Sequence, residues 1–183
     1  MPMQVIKHGG NGGDVKNGES KKANKSFFDT DEQFNIYNYF KFCTRYLKED
    51  GCMLLFCSFE QLFDVINIAK ENGFKKYIPL VFIKNYSPQV LKANMKILGA
   101  TEYGLCLYKE RLPKFRNKDE QGKGHMIFNW FEFKKDCKSP RIHPTQKPVD
   151  LLERLIKIFT DEGDVVLDPV ARFRQYINSL SKY

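Results

Sequence analysis

The clearest apolar pattern in the chain lies near its end, where large apolar residues recur at helical spacing after Pro148. One face of this predicted helix carries Leu151, Leu152, Leu155, Ile156 and Phe159. Pro148 suits the first turn, because its missing backbone N–H has no helical partner there. Residues 161–163 (Asp-Glu-Gly) stop the helix, and residues 165–167 (Val-Val-Leu) predict a short buried strand. That strand ends at Asp168 and Pro169, where a carboxylate lies at the edge at which α/β sheets bind ligands.

Two further helices are predicted upstream. The first begins at Asp29 or Thr30, either of which could cap it, and runs to about Lys48. Its apolar face is formed by Phe34, Tyr37, Phe40, Cys43, Tyr46 and Leu47. The second helix covers residues 59–72 and is closed by Gly73.

Three apolar runs alternate with these helices and predict strands over residues 52–57, 77–84 and 104–109. Pro79 marks either the beginning of the second strand or a sheet edge, because proline cannot donate to a strand ladder. The alternation of helices and strands predicts an α/β fold.

Residues 1–26 have a different composition, rich in Gly, Lys, Asn and Ser, which is typical of a flexible segment. A phosphate-binding glycine loop is the alternative interpretation of residues 8–14. That loop needs a strand before it and a helix directly after it, and neither pattern is visible.

Composition narrows the class of protein. Apolar residues make up 42% of the 183 residues and include 16 Phe and 9 Tyr, which favours a globular protein over a disordered one. The net charge of +8 suits a polyanionic partner. No apolar run reaches transmembrane length, and the first residues lack the apolar core of a signal peptide.

The cysteines indicate a reducing compartment. Their number is odd and no C-x-x-C pair occurs, so reduced thiols of a cytoplasmic protein are expected rather than disulfides or zinc ligands. They are Cys43, Cys52, Cys57, Cys106 and Cys137. His125 and His143 also lack metal-ligand spacing, so no metal site is expected.

Residues 111–141 form a basic aromatic segment. Its candidate DNA-binding residues are Arg111, Lys114, Arg116, Lys134, Lys135, Lys138 and Arg141. The interleaved aromatic residues are Phe115, Phe128, Trp130, Phe131 and Phe133. Basic side chains can pair with phosphates while aromatic rings stack on bases, so DNA contact is expected. The alternative is a solvated charged loop over a small aromatic cluster.

The sequence of residues 143–169 resembles a known junction of motifs. It reads HPTQKP, then the Leu-rich predicted helix, then GDVVLDP. The junction is that of motifs X and I in the S-adenosylmethionine-dependent DNA amino-methyltransferases, which methylate adenine N6 or cytosine N4. The resemblance is to the permuted subgroup, in which the cofactor half follows the catalytic half. It implies a partial Rossmann-like methyltransferase sheet. It also implies cofactor-binding roles for Pro144, Thr145, Gln146 and Lys147, against the methionine end, and for Asp168 and Pro169, where the cofactor loop opens.

Earlier parts of the chain resemble the catalytic half of the same family. They are the LKEDG run at 47–51, the Gly73-Phe74 pair, the strand ending at Lys84, and Glu102-Tyr103 leading into the next strand. By position, the basic aromatic segment corresponds to the family's target-recognition segment. The resemblance implies DNA as partner, with restriction–modification as the setting, and it covers roughly residues 34–169.

Two features depart from the family. Its catalytic tetrapeptide, Asp/Asn/Ser-Pro-Pro-Tyr/Phe, holds the flipped base, and no such sequence occurs in this chain. It belongs ahead of the predicted helix at Asp29, so the chain is expected to start just past it. No catalytic residue is therefore assigned.

The second departure follows Pro169, where the family has a Gly-Ser-Gly-Ser/Thr-Thr loop and this chain has bulky residues from Arg172 to Tyr176. The run 172–179 can be encoded AGG TTC AGG CAG TAC ATT AAT AGC. Dropping the first A and reading on gives Gly-Ser-Gly-Ser-Thr-Leu-Ile-Ala. The sequence thus predicts an inserted nucleotide followed by an early stop.

The sequence therefore predicts five segments: a flexible start (1–26), a catalytic-half remnant (27–110), the basic aromatic segment (111–141), the start of the cofactor half (142–171) and an aberrant tail (172–183). By resemblance the function is methyl transfer from S-adenosylmethionine to DNA, at adenine N6 in preference to cytosine N4. The chain as it stands is expected to be inactive. The alternative is a non-catalytic DNA-binding or subunit-like protein that keeps the basic aromatic segment.

Overall fold

The computed structural model describes residues 15–16, 19–20, 35–86, 89–92, 95–118, 121–124, 126–137 and 146–169. Two short strands, β1 (Val15–Lys16) and β2 (Glu19–Ser20), pair antiparallel within the segment for which the sequence predicts flexibility. The rest of residues 1–26, and the tail from residue 170 onward, lie outside the described residues.

The first helix, α1, is Ile36–Tyr46. It begins later than the predicted position: Asn35 is its cap, and the Asn35 side chain accepts a hydrogen bond of 3.1 Å from the Asn38 backbone N–H. The predicted caps at residues 29 and 30 lie outside the described residues. Phe40 of the predicted apolar face is buried, but Tyr37 and Tyr46 are exposed, because the face that packs on the sheet contains Ile36 and Tyr39 in their place.

The next elements follow the predicted order. Strand β3 is Cys52–Cys57, a short 3-10 turn covers Phe59–Gln61, and helix α2 is Leu62–Glu71. Gly73 follows α2 with a φ of +92°, a left-handed conformation that glycine adopts without strain. The predicted helix and its glycine stop are confirmed.

A four-stranded mixed sheet forms the centre of the molecule. It contains β3 together with β4 (Lys76–Lys84), β7 (Thr101–Tyr108) and β8 (Trp130–Phe133). The strand order is β3-β7-β4-β8, and β7 runs antiparallel to both of its neighbours. A small hairpin of β5 (Gln89–Lys92) and β6 (Ile97–Gly99), which the sequence does not predict, fills the connection before β7.

The position of Pro79 follows from the pairing of β4. Pro79 is the fourth residue of this strand, and β8 pairs only with residues 81–84. The proline therefore lies where β4 has a ladder neighbour on one side only, as the edge interpretation predicts. Asn129, just before β8, extends the contact: its backbone oxygen accepts from the Val81 N–H.

Helices cover both faces of the sheet, which confirms the α/β prediction. Helices α1 and α2 pack on one face through Phe40, Val65 and Ile68, against Met53 and Leu105. The third helix, α3 (Val149–Phe159), packs on the opposite face. The core on that side contains Leu80, Phe82, Cys106, Phe131, Phe133, Leu151, Leu155, Ile158 and Phe159.

Two neighbours of α3 differ from prediction. Pro148 is the cap residue of α3 rather than a residue of its first turn. Residues 165–167 do not form the predicted buried strand: Val165 is 91% exposed, and Val166 and Leu167 are also exposed. A strand needs a hydrogen-bonded neighbour, and none of the described residues pairs with these three.

Candidate functional site

Three strands bring polar and aromatic side chains to one edge of the sheet. Because β3 and β4 both run antiparallel to β7, their carboxyl ends lie beside the start of β7. Cys57 is opposite Tyr103, and Phe82 is opposite Glu102. We call this the carboxyl edge, and it is the edge at which α/β sheets bind ligands.

The carboxyl edge holds a cluster of three charges. One oxygen of the Glu102 carboxylate lies 2.8 Å from the Lys84 ammonium, and the other lies 2.5 Å from the Lys147 ammonium. Lys84 is 10% exposed and Glu102 is 25% exposed. Burial alone would raise the pKa of Glu102, but Lys147 and Lys84 together outweigh it, so its pKa lies below the ordinary value. Two ammonium groups and one carboxylate leave this edge with an excess positive charge.

Lys147 also contacts the aromatic layer beneath it. Its ammonium lies 5.1 Å from the ring centroid of Phe56, close enough for a cation–π interaction. The Phe56 ring in turn packs against Phe82, with 4.6 Å between centroids. Gln146 is half-buried and Pro148 is buried. The segment that leads into α3 is thus held on the carboxyl edge.

A glycine permits this aromatic layer. Gly104 of β7 lies between the strands that carry Phe56 and Phe82. A Cβ atom at position 104 would lie 2.8 Å from the Leu55 carbonyl oxygen and 2.9 Å from a ring carbon of Phe82. Only a residue without a side chain allows the two rings to meet across β7.

The structure brings together some of the predicted cofactor-binding residues. Gln146 and Lys147 lie on the carboxyl edge, whereas Pro144 and Thr145 lie outside the described residues. Asp168 and Pro169 are exposed at the end of the segment after α3. Burial raises the pKa of Tyr39 in α1, and the charges of Cys43 and Asp168 raise it further.

Lys84 and Glu102 are site residues to which the sequence assigns no role. Both lie in runs that carry the resemblance, but the resemblance does not predict that Glu102 pairs with Lys84 and Lys147. The signal that could have identified them is the occurrence of a charged residue at the end of one apolar strand and near the start of the next, since these ends meet at one sheet edge.

The candidate DNA-binding residues fall into two groups. Lys114 and Arg116 form ion pairs with Asp161, and Lys114 also pairs with Asp164 at 2.7 Å, just after α3. Hydrogen bonds from Arg116 and Lys114 lower the pKa of Asp161 to about 2. These two basic residues therefore fasten the segment to the end of α3.

The other group is more accessible. Arg111 is exposed, and Lys134 and Lys135 are exposed directly after β8. Lys138 and Arg141 lie outside the described residues. Exposed ammonium groups beside a sheet edge are suited to phosphate contact.

The aromatic residues of the same segment also divide. Phe131 and Phe133 point into the core on the α3 side, so they are not available to bases. Phe128 and Trp130 are exposed and stack on each other. Part of the segment therefore belongs to the sheet, and part of it presents rings to solvent.

Three further features of the described residues concern disulfides, membrane spans and metal sites. All five cysteines are free thiols. No helix in the described ranges is both long and apolar enough to cross a membrane. Within the same ranges, no group of three His, Cys, Asp or Glu side chains is arranged to hold a metal ion.

Comparison with known proteins gives a consistent family. A sequence model described as DNA methylase, for N6 and N4 methyltransferases, matches residues 13–171. The chain is 28% identical over 165 residues to the type II methyltransferase M.HpaI of Haemophilus parainfluenzae, covering 79% of this chain and 52% of that protein. It is 30% identical over 127 residues to the putative methylase YubD of Escherichia coli strain K12, covering 69% of this chain and 50% of that protein.

Solved structures agree with the sequence comparisons. The fold matches the crystal structure of the M1.HpyAVI–SAM complex with a TM-score of 0.59 and 26% identity, covering 75% of this chain and 66% of that chain. The likeness confirms a Rossmann-like methyltransferase fold. The chain spans about half the length of the two curated relatives.

Proposed function

Because this chain belongs to the DNA methylase family that its residues 13–171 match, we propose that it forms part of an S-adenosylmethionine-dependent DNA amino-methyltransferase. The acceptor that we favour is adenine N6, with cytosine N4 as the alternative. The chain contributes the carboxyl edge, where the cofactor binds, and the basic aromatic segment, which contacts DNA. The observation that carries this proposal is the ion pair between Lys147 and Glu102, which holds Lys147, the last residue assigned from motif X, on the carboxyl edge.

The charges on the carboxyl edge fit the amino-acid end of this cofactor. The cluster of Lys84, Lys147 and Glu102 has one positive charge in excess, which favours a carboxylate nearby. Gln146 beside it offers an amide that can both donate and accept hydrogen bonds. These residues would hold the methionine end, and Asp168 and Pro169 would begin the loop around the rest of the molecule.

When bound, the cofactor supplies an electrophilic methyl group on a sulfonium, and the amino nitrogen of the base takes this methyl group and gives up a proton. The role of the described residues is to bind and orient. Glu102 fixes the Lys147 ammonium, and the Phe56 ring supports it from below at 5.1 Å. Pre-set positions of this kind reduce the entropy that binding must overcome.

We also propose that the chain by itself transfers no methyl group. Its sequence contains no Asp/Asn/Ser-Pro-Pro-Tyr/Phe tetrapeptide, whose polar group and aromatic ring hold the flipped base in this family. The residues after Pro169 are also bulkier than the glycines of the family loop. The chain then retains binding surfaces without the group that positions the acceptor.

Reconstitution tests the proposed function. The chain is joined to a segment of a DNA amino-methyltransferase of the same family, chosen because it carries the catalytic tetrapeptide and the strand before it, and the tail from Arg172 is rewritten as Gly-Ser-Gly-Ser-Thr-Leu-Ile-Ala. We expect methyl transfer to DNA, and chromatography of the digested nucleosides then identifies N6-methyladenine or N4-methylcytosine. A folded chimera that binds DNA but transfers no methyl group to either base would overturn the proposal.

A further inference from the structure

Two exposed aromatic rings at the beginning of β8 form a stacked pair. The rings of Phe128 and Trp130 lie nearly parallel, with an interplanar angle of 18° and 5.5 Å between centroids. Phe128 is 73% exposed and Trp130 is 42% exposed. A large part of each ring is therefore open to solvent and accessible to a ligand.

The backbone that carries the pair is anchored to the sheet. The Asn129 carbonyl accepts a hydrogen bond of 3.0 Å from the Val81 N–H, and the Asn129 side-chain amide donates one of 2.9 Å to the Pro79 carbonyl. Phe131, which directly follows Trp130, is buried in the core. The backbone between the two rings is thus held on the sheet, which reduces the conformational entropy that is lost when a flat molecule binds to them.

A cavity of about 720 Å³ opens beside the pair. Its wall includes both rings and the Met126 side chain. It also includes two cationic side chains, Lys134 and Arg154, and two carboxylates, Glu132 and Asp150. The cavity therefore combines an aromatic face with both donors and acceptors of hydrogen bonds.

We propose that this cavity is a nucleobase-binding site, which takes an unstacked base of DNA against the Phe128–Trp130 pair. The identity of the ligand rests on the proposed function, since DNA is the substrate proposed there. A base has an aromatic face for the rings, and polar edges for Arg154 and Glu132. A phosphate has no aromatic face to stack on the rings, and the cavity wall carries as many carboxylates as cations, so a phosphate gains no net charge attraction there.

Trp130 is the only tryptophan of the chain, so its fluorescence reports this site alone. The intact chain is titrated with a labelled single-stranded oligonucleotide and, separately, with an abasic oligomer that has the same number of phosphates. Anisotropy of the label measures binding, and Trp130 emission measures stacking. We expect both oligomers to bind and only the base-bearing one to quench Trp130.

Substitution provides the second readout. Phe128→Ala should weaken binding of the base-bearing oligonucleotide roughly tenfold and leave the abasic oligomer unaffected. The matched control is Phe63→Ala on α2, because Phe63 is 72% exposed and makes no described contact with the cavity. Both variants remove an exposed ring, so a general loss of apolar surface would affect them equally.

The outcomes separate this inference from the proposed function. Three results would overturn the nucleobase site. They are quenching of Trp130 by both oligomers, binding of the base-bearing oligomer without quenching of Trp130, and a loss of affinity in Phe63→Ala equal to that in Phe128→Ala. Self-association that depends on Trp130 and occurs without DNA would also overturn it and assign the surface to a second copy. If Trp130 is quenched only by the base-bearing oligomer but the reconstituted chimera transfers no methyl group, the nucleobase site is supported and the proposed function is contradicted.

Discussion

The Lys147 ammonium lies 2.5 Å from a carboxylate oxygen of Glu102, although 45 residues separate them along the chain. The contact joins the segment before α3 to the start of β7. It closes a large loop that contains the whole basic aromatic segment. This one carboxylate therefore holds Lys147, and with it the start of α3, on the carboxyl edge.

Glu102→Gln should destabilise the fold by about 2 kcal/mol, because it leaves the nearly buried Lys84 ammonium without its charged partner. Urea unfolding of both proteins measures the difference in the free energy of unfolding. The matched control is Glu110→Gln, whose carboxylate pairs with Lys75 on the exposed surface. Since surface pairs contribute little, the control should leave stability almost unchanged.

The pH dependence of this difference has a defined sign. The folded-state pKa of Glu102 lies below its ordinary value of 4.5, so its contribution is fully present above that pH. The contribution disappears as the pH falls through the lower, folded-state pKa. The difference in the free energy of unfolding between the wild-type protein and Glu102→Gln should be constant from pH 7 to about pH 5. It should then become smaller as the pH falls further. A gap that widens on acidification would contradict the assignment.

Gly104→Ala should destabilise the sheet by about 1–3 kcal/mol, because the new methyl group overlaps the Leu55 carbonyl oxygen and the Phe82 ring. Thermal unfolding followed by circular dichroism measures the loss of stability. Gly124→Ala is the control, since a Cβ at that position meets its nearest atom at an ordinary 3.7 Å. Equal melting temperatures for the two variants would show that Phe56 and Phe82 do not require the glycine.

These contacts show what the sequence can and cannot predict. The extent of α3 is predicted to within about a residue, because its leucines repeat at helical spacing and Asp161–Gly163 stops it. Strand β8 is not predicted, because it is only four residues long and lies within a basic run that resembles a loop. Residues 165–167 have a strand-like composition but no strand partner in the described ranges, and composition alone does not reveal pairing.

Some residues of the candidate site can be predicted from the sequence, and others only from the folded structure. Gln146 and Lys147 can be assigned from the resemblance, because the HPTQKP run is local in sequence. Glu102 cannot, since its role depends on contacts with Lys84 and Lys147 that only the folded sheet creates. Likewise, the pairing of Lys114 and Arg116 with Asp161 depends on tertiary structure, whereas their positive charge is evident from the sequence.

The two groups of basic residues should differ in DNA binding. Replacing Lys134, Lys135 and Lys138 with Ala should make the affinity for DNA less dependent on salt. The slope of log affinity against log salt concentration should fall in magnitude by roughly one for each phosphate contact that is lost. Replacing Lys114 and Arg116 should flatten it less, because these side chains already pair with Asp161. Anisotropy titrations at several salt concentrations measure the slopes. An unchanged slope in the triple variant would assign the segment to solvent rather than to DNA.

The purified chain should transfer no methyl group from S-adenosylmethionine to DNA, because it lacks the catalytic tetrapeptide. Tritium incorporation into DNA measures transfer, with a no-protein reaction as the background. Incorporation above that background, abolished by Lys147→Ala, would show that other residues position the base.

The central claim is that the carboxyl edge binds S-adenosylmethionine, and calorimetric titration tests it most directly. Arg172, Phe173 and Arg174 stand where the family has small residues, so the chain with its present tail should show no saturable binding. The chimera with the rewritten tail should bind at roughly micromolar strength, about −8 kcal/mol, and Lys147→Ala in it should weaken binding. Strong binding by the unaltered chain would make Arg172 and Arg174 functional residues and contradict the predicted nucleotide insertion. A folded chimera that binds S-adenosylmethionine equally well with and without Lys147→Ala would contradict the site itself.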